Sequence, residues 1–530
     1  MKQLQIHAGV ALALISLTVL LLLMTFAQPQ PSNGLTAQTI YAAGEESTLN
    51  HVANCRYGVS PLGGDTAISW VSSLGAGWYL TFGATPPNNP PMNDAEFAHV
   101  IRTQQDQLPD GTYLPTYTVI PELTEAGLGS LISSDPGALW LVGNEVDRGP
   151  DPGELTGGQD HTFPDVYATA YNEVYNFITQ RDPSARVAIS GLVEVTPGRL
   201  QYLDKVWEAY KTQFGQTMPV DVWNMHLYIL PETEADGTPN GIANVALGTD
   251  PALGIRYDPT QCTSGDVYCF YEHDDLTIFA EQIIAMRTWM KSHGQQNKPL
   301  IISEYSQLYP VKYSDGAPFF DENGEQFLPP RVSSFMLGTF DYMNNQAQDP
   351  NLGYSLDNDR LVQQWLWFST YSSAAGSASN LLDNNLSNLT QVGQAFQSYV
   401  LNEPLYGNLM IERVSNSVTM TNGSMTADVP LSVSFRNNGN TSITATITVT
   451  FFSDAAMTTP IGASIVQPPI RGCATSLYFA TVVWIDRAPG VYPYWVRIDS
   501  DGNVNGKDNV GTGFAFVDPA QIFLPIIIRN

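Results

Sequence analysis

The stretch LVGNEVD at Leu141–Asp147 and its counterpart PLIISEYSQL at Pro299–Leu308 decide how this chain folds. Each is a short apolar run that ends on a carboxylate, Glu145 in the first and Glu304 in the second. Such a run reads as a strand buried on both faces, and a carboxylate at its C-terminal end falls where a β/α architecture collects its reactive groups. Outward from these two, residues 52 to 405 repeat the same unit, a short apolar strand and then a longer amphipathic stretch. Eight strands are predicted: Arg56–Ser60, Gly77–Gly83, Phe97–Gln104, Leu139–Glu145, Arg186–Val193, Asp221–Ile229, Leu300–Tyr305 and Leu361–Ser369. Eight parallel strands close on themselves, so the predicted fold class is α/β, a (β/α)8 TIM barrel.

Helical spacing of apolar residues predicts helices over Pro164–Gln180, Gly198–Phe214, Asp275–His293 and Arg331–Asn345. The PPNNPP run at Pro86–Pro91 leaves no room for one between the second and third strands, because proline removes a donor and blocks the helical turn. Two insertions, Pro231–His273 and Pro310–Pro330, follow the sixth and seventh strands and are placed on the same rim as the carboxylates. From residue 406 to 520 the pattern changes to alternating strands with Asn, Gly and Pro turns, including Ser432–Phe435, Thr441–Phe452, Tyr478–Ile485 and Tyr492–Asp499. That reads as a smaller all-β, Ig-like sandwich.

The N-terminus has Lys2 and then an apolar stretch from Ala8 to Ala27 with small residues Thr25 and Ala27 before a polar segment. This predicts an export signal or N-terminal anchor over residues 1–27, a linker over 28–51 and an extracellular or surface-bound remainder, with 521–530 as a tail. Of the four cysteines, Cys262 and Cys269 are predicted to pair; Cys55 and Cys473, far apart in sequence, are read as free thiols with no pairing assigned. With 51 acidic against 23 basic residues the net charge of -28 repels nucleic acid and anionic polymers and fits a neutral substrate, or simply a soluble exported protein. No zinc-ligand spacing, phosphate loop or dinucleotide fingerprint is found, so no metal and no cofactor is expected.

Two carboxylates facing each other across one hollow are what glycosidic cleavage needs, one to protonate the leaving oxygen and one on the other side of the anomeric carbon. Strand alternation puts Leu139, Leu141, Gly143 and Glu145 on one face, and Leu300, Ile302 and Glu304 on one face, so both glutamates are expected to point into the barrel. His226 and Tyr228 alternate with Trp223, Met225 and Leu227 and are placed beside them. Trp365 and Trp367 on the eighth strand, and Trp78 on the second, are candidate platforms for a pyranose ring. Arg56 and Arg102 are candidate sugar-binding cations.

The segments WLVGNEVD, VDVWNMHLYIL and KPLIISEYS resemble the clan A glycoside hydrolases, and within them the alkali-sensitive-linkage-type glycosyl hydrolase core, over residues 52 to 402. The resemblance implies a retaining enzyme with Glu145 as acid/base, Glu304 as nucleophile, Asn144 on the sugar 2-hydroxyl, and His226 and Tyr228 lining the site, with an oligo- or polysaccharide as partner. Val146 stands where many members have proline. The segments VSFRNNGNTSITATITVTFF and YWVRIDSDGNVNGKDN resemble cell-adhesion-related domains of bacterial surface proteins, which keeps open a second class of function, a non-catalytic carbohydrate-binding or adhesion protein on the same scaffold.

Overall fold

The computed structural model describes residues 51–150, 159–262, 264–313, 315–373, 376–504 and 506–518. The predicted export signal and the tail lie outside them. No helix among the described residues is long and apolar enough to cross a membrane.

Among the described residues, nine strands make the main sheet of the first domain: β1 (Asn54–Val59), β2 (Ala76–Tyr79), β3 (Glu96–Gln107), β4 (Tyr113–Ile120), β5 (Leu139–Val142), β6 (Arg186–Ile189), β7 (Trp223–His226), β8 (Leu300–Tyr305) and β9 (Gln364–Trp367). Without β4 they pair in parallel and in chain order, and β9 pairs with β1. The ring is completed between β6 and β7 by the parallel bridge Ala188↔Val222. This is an eight-stranded parallel barrel, with every predicted strand present. Its interior is filled by Trp78, Val100, Leu141, Ala188, Val222, Ile301 and Leu366, while a larger apolar layer lies between the strands and the surrounding helices.

The helices are α1 (Asp65–Ser73), the short α2 (Ser130–Ser134), α3 (Pro164–Arg181), α4 (Pro197–Phe214), α5 (Leu276–Ser292), α6 (Pro329–Asp341) and α7 (Gln391–Asn402). Their ends are written in local chemistry. Thr196 caps α4 and Asp275 caps α5 through their side-chain oxygens, and Pro197 occupies the first turn of α4, where no donor is needed. On α3, Val166, Ala170, Tyr171, Val174 and Ile178 recur at helical spacing and are buried against the barrel. No helix separates β2 from β3, as the prolines require. Instead β3 overshoots the barrel and folds back antiparallel on β4, a hairpin the sequence reading did not foresee.

The second domain packs a three-stranded sheet, β10 (Leu409–Val414), β12 (Ala427–Asn437) and β15 (Tyr478–Arg487), on a five-stranded one. The latter contains β11 (Ser417–Thr419), β13 (Ile447–Phe452), β14 (Pro460–Val466), β16 (Gly490–Asp499) and β17 (Val510–Val517). Alternate residues such as Val429, Leu431, Val433 and Phe435 on β12 meet Val449, Phe451, Val496 and Ile498 to form its core. Residues 441–446, predicted as the start of a strand, lie ahead of β13.

The sandwich is tied to the barrel at the starts of the strands. Cys55 in β1 is bonded to Cys473, a pairing left unassigned from sequence, and Cys262 is bonded to Cys269 as predicted. Glu96, the first residue of β3, takes ion pairs from Arg186, the first of β6, and from Arg471 of the sandwich at 3.0 Å. Burial pushes the Glu96 carboxyl up, but the two guanidinium groups outweigh it and hold it below the usual range.

Candidate active site

Glu145 arrives at the rim by a turn and not by strand alternation. β5 ends at Val142, after which Gly143 (φ 90°) and Glu145 (φ 46°) both take left-handed backbone. A Cβ on Gly143 would lie 2.5 Å from Val146 Cγ1, so only glycine fits there. Four backbone bonds hold the turn. Gly143 N–H donates to Ile101 O (2.7 Å), Asn144 N–H to Asp160 Oδ2 (3.0 Å), Glu145 N–H to Gly191 O (3.0 Å) and Arg148 N–H to Glu145 O (3.1 Å).

Glu304 reaches the same place through a β-bulge. Leu300 and Ile302 belong to the outer layer and Ile301 to the barrel interior, the reverse of the expected face. The register against β7 then slips: Met225 faces Ile302, but the next residue, His226, faces Glu304. The extra residue, Ser303, turns Glu304 inward and sends Tyr305 out against Trp367.

Four predicted residues converge. His226 Nδ1 is 3.0 Å from Glu145 Oε1 and 3.8 Å from Glu304 Oε2, and the Tyr228 hydroxyl donates to Glu304 Oε1 at 2.7 Å. One side-chain donor atom from each of Glu145, His226 and Glu304 lies within 4.8 Å of the others, and all three are buried. Gly191 makes room for the imidazole, since a Cβ there would stand 2.3 Å from His226 Cδ2. Burial opposes the His226 charge, but Glu304 and Glu145 outweigh it and raise its pKa. Burial also pushes Glu145 up, yet the bond from His226 and its charge bring it below the usual carboxylate value. Glu304 is pushed up to about 7 by burial and by the Glu145 charge, with His226 and the Tyr228 hydroxyl offsetting part of the rise. His226 stands closer to Glu145 than to Glu304.

Asn144 lies in the same turn with its Nδ2 on Gln159 Oε1 (2.7 Å). Arg102 acts through Asp160: its Nε donates to Asp160 Oδ1 (2.7 Å), and the other oxygen of that carboxylate holds the backbone of Thr103 and Asn144. Arg56 does not belong to this group. It sits near the start of β1, at the far end of the barrel, bonded to both oxygens of Asp357 and to the carbonyls of Gln363 and Asn438.

The tryptophans are corrected as well. Trp365 and Trp367 share a face, but it is the outer one, packed on Tyr57 and on Tyr305 and Phe335; Trp78 is sealed in the barrel interior. Aromatic side chains near the rim include Phe82 and Phe368, edge to face with centroids 6.0 Å apart and both partly exposed. Phe368 follows Leu366 at the spacing of two that marks the inward face, the signal that would have found it.

The two insertions dock on one another beside the site. Phe270, Tyr309, Phe319 and Phe327 cluster, and the Glu322 carboxylate accepts from the N–H groups of Phe270 (2.9 Å) and Tyr271 (3.0 Å). His273 joins this wall to the segments that follow β7 and β8. Its Nδ1–H donates to Ile229 O (2.8 Å) and its Nε2 accepts from Leu308 N–H (2.9 Å), an arrangement for neutral imidazole that agrees with burial lowering its pKa to about 4.

No family model matches the chain, and no curated protein matches it. Among solved structures, an endo-β-1,3-glucanase of family GH128 from Amycolatopsis mediterranei in complex with laminaritriose is 13% identical over 65% of this chain and 99% of its own, with a TM-score of 0.37. An endo-β-1,4-mannanase from Thermotoga petrophila is 11% identical over 71% and 64%, with a TM-score of 0.23. A CARDB domain from Pyrococcus furiosus in complex with di-metal ions is 16% identical over 22% and 97%, with a TM-score of 0.17. The barrel and the sandwich are established by the strand pairing itself.

Proposed function

We propose that this protein is an exported glycoside hydrolase that cleaves O-glycosidic bonds of a neutral, β-linked glycan by retaining double displacement. The observation that carries the reading is the meeting of Glu145 and Glu304 at one rim of the barrel, one carboxyl oxygen of each within 4.8 Å of the other and His226 between them. Retaining enzymes place their carboxyl groups about 5 to 5.5 Å apart, whereas inverting ones leave space for a water between them. Glu304, ionised and held by the Tyr228 hydroxyl, attacks the anomeric carbon. Glu145 takes its proton from His226 Nδ1–H across their 3.0 Å contact and passes it to the leaving oxygen, which leaves Glu145 a carboxylate. In the second half Glu145 takes a proton from water, which opens the glycosyl ester on Glu304. An adhesion protein needs neither carboxylate, and their convergence favours turnover.

Digestion of a panel of β-glucans, mannans, galactans and xylans, followed by NMR of the first-formed sugar, tests this directly. Release of the β-anomer from a β-linked substrate is expected; the α-anomer, or no hydrolysis of any member, overturns the reading.

The raised pKa of Glu304 makes a further prediction. The nucleophile works only when ionised, so kcat/KM should rise with pH through about 7 and be lost below it, the pKa of Glu304 in the free enzyme. Tyr228→Phe removes a donor from the ionised carboxylate and should move this limb to higher pH. A limb that stays in place would detach Glu304 from it.

A further inference from the structure

Behind the catalytic rim lies a second charged cluster, wholly buried, which the proposed reaction does not use. Arg199, in the first turn of α4, forms an ion pair with Asp147, stands 3.1 Å by its Nε from Glu232 Oε1 and 3.9 Å from Glu194 Oε1, and all four side chains are fully buried. Its remaining nitrogen donates to the carbonyls of Ala243 (3.0 Å) and Asn244 (2.8 Å), within the first insertion. Each carboxylate is tied to a different loop of the rim. Asp147 is two residues beyond Glu145. Glu194, three residues beyond the Gly191 carbonyl that holds Glu145, accepts from Leu230 N–H (3.1 Å). Glu232, four residues beyond Tyr228, accepts from Ile255 N–H (2.8 Å).

A single guanidinium therefore gathers the loops after β5, β6 and β7. Three carboxylates against one cation is a composition that a buried site tolerates only while the cation is bound or protons are taken up. Burial and then the Glu232 charge already push Glu194 well above the usual value. The fork geometry matters, because a lysine ammonium supplies charge but does not reach Asp147 and the two carbonyls together.

We propose that Arg199 is a positioning residue that sets the separation of Glu145 and Glu304, by clamping the Asp147 loop to the loop that follows Tyr228. The inference rests on the hydrolase reading for its effect on rate, but its geometric content does not.

The test is Arg199→Lys in the full chain, with Arg199→Met as the stronger variant, each checked for folding by circular dichroism below its thermal midpoint. In folded Arg199→Lys, kcat is expected to fall by about 10²-fold with KM little changed, the size of effect that a 1 Å misplacement produces. The second readout needs no substrate. The His226 ring, identified among the seven histidines by its loss in His226→Gln, should titrate at a different pH in Arg199→Lys, because its distances to Glu145 and Glu304 change. A folded Arg199→Lys with unchanged His226 titration overturns the proposal. A displaced titration in a protein that cleaves no glycan upholds the clamp and removes the hydrolase reading instead.

Discussion

Glu304→Ala should lower kcat by about 10⁴-fold or more, the scale on which loss of a covalent nucleophile is felt. The protein should remain folded, because the carboxyl it loses is one that burial disfavours in its charged form. Azide should restore part of the rate with an activated aryl glycoside by entering the space left by the side chain, and the product should be a glycosyl azide of inverted configuration. Glu145→Gln should behave differently. It removes the proton donor, so poor leaving groups lose about 10² to 10⁴-fold, while substrates whose leaving group needs no proton still form the glycosyl ester. A 2-fluoro sugar with a good leaving group should label Glu304 and no other residue, as read by peptide mass mapping. Hydrolysis within tenfold of the unmodified enzyme in Glu304→Ala would end its assignment as nucleophile.

The second large effect concerns stability. Cys55 and Cys473 are 418 residues apart in sequence and join the first barrel strand to the sandwich. Closing so long a loop removes much freedom from the unfolded chain, and the double substitution Cys55→Ser, Cys473→Ser should cost about 4 to 5 kcal/mol, the upper part of the range for native disulfides. The urea midpoint reports it. Because the bond lies at the opposite end of the barrel from Glu145 and Glu304, kcat at temperatures where the variant stays folded should be unchanged. The same loss from Cys262→Ser, Cys269→Ser should be smaller, since that ring spans only 7 residues. Equal losses for the two would contradict the loop-length argument.

The barrel was legible because each strand buried on both faces is a compact apolar run, and the positions of Glu145 and Glu304 at the ends of two such runs could be read without coordinates. Which way each side chain points was not. Both faces of these strands are apolar, so nothing in Leu300, Ile302 or Trp365, Trp367 distinguishes the interior from the helix layer. Alternation counted from Leu300 placed Glu304 inward for a reason that fails, and the bulge at Ser303 restored the result. Arg56 was misplaced by a related uncertainty, since a strand has two ends and its arginine belongs to the one against the sandwich. Arg199 and its carboxylates were missed because they are spread from Asp147 to Glu232 and are brought together only by closure of the barrel. The Cys55–Cys473 bond was hidden in the same way, by separation along the chain.

Among the described residues, Cys55, Arg56, Glu96 and Arg186 tie the barrel to the sandwich where the strands begin. The sandwich thus adjoins the end of the barrel opposite Glu145 and Glu304. Anything that grips the sandwich would leave the rim that carries Glu145 and Glu304 facing away from the point of attachment.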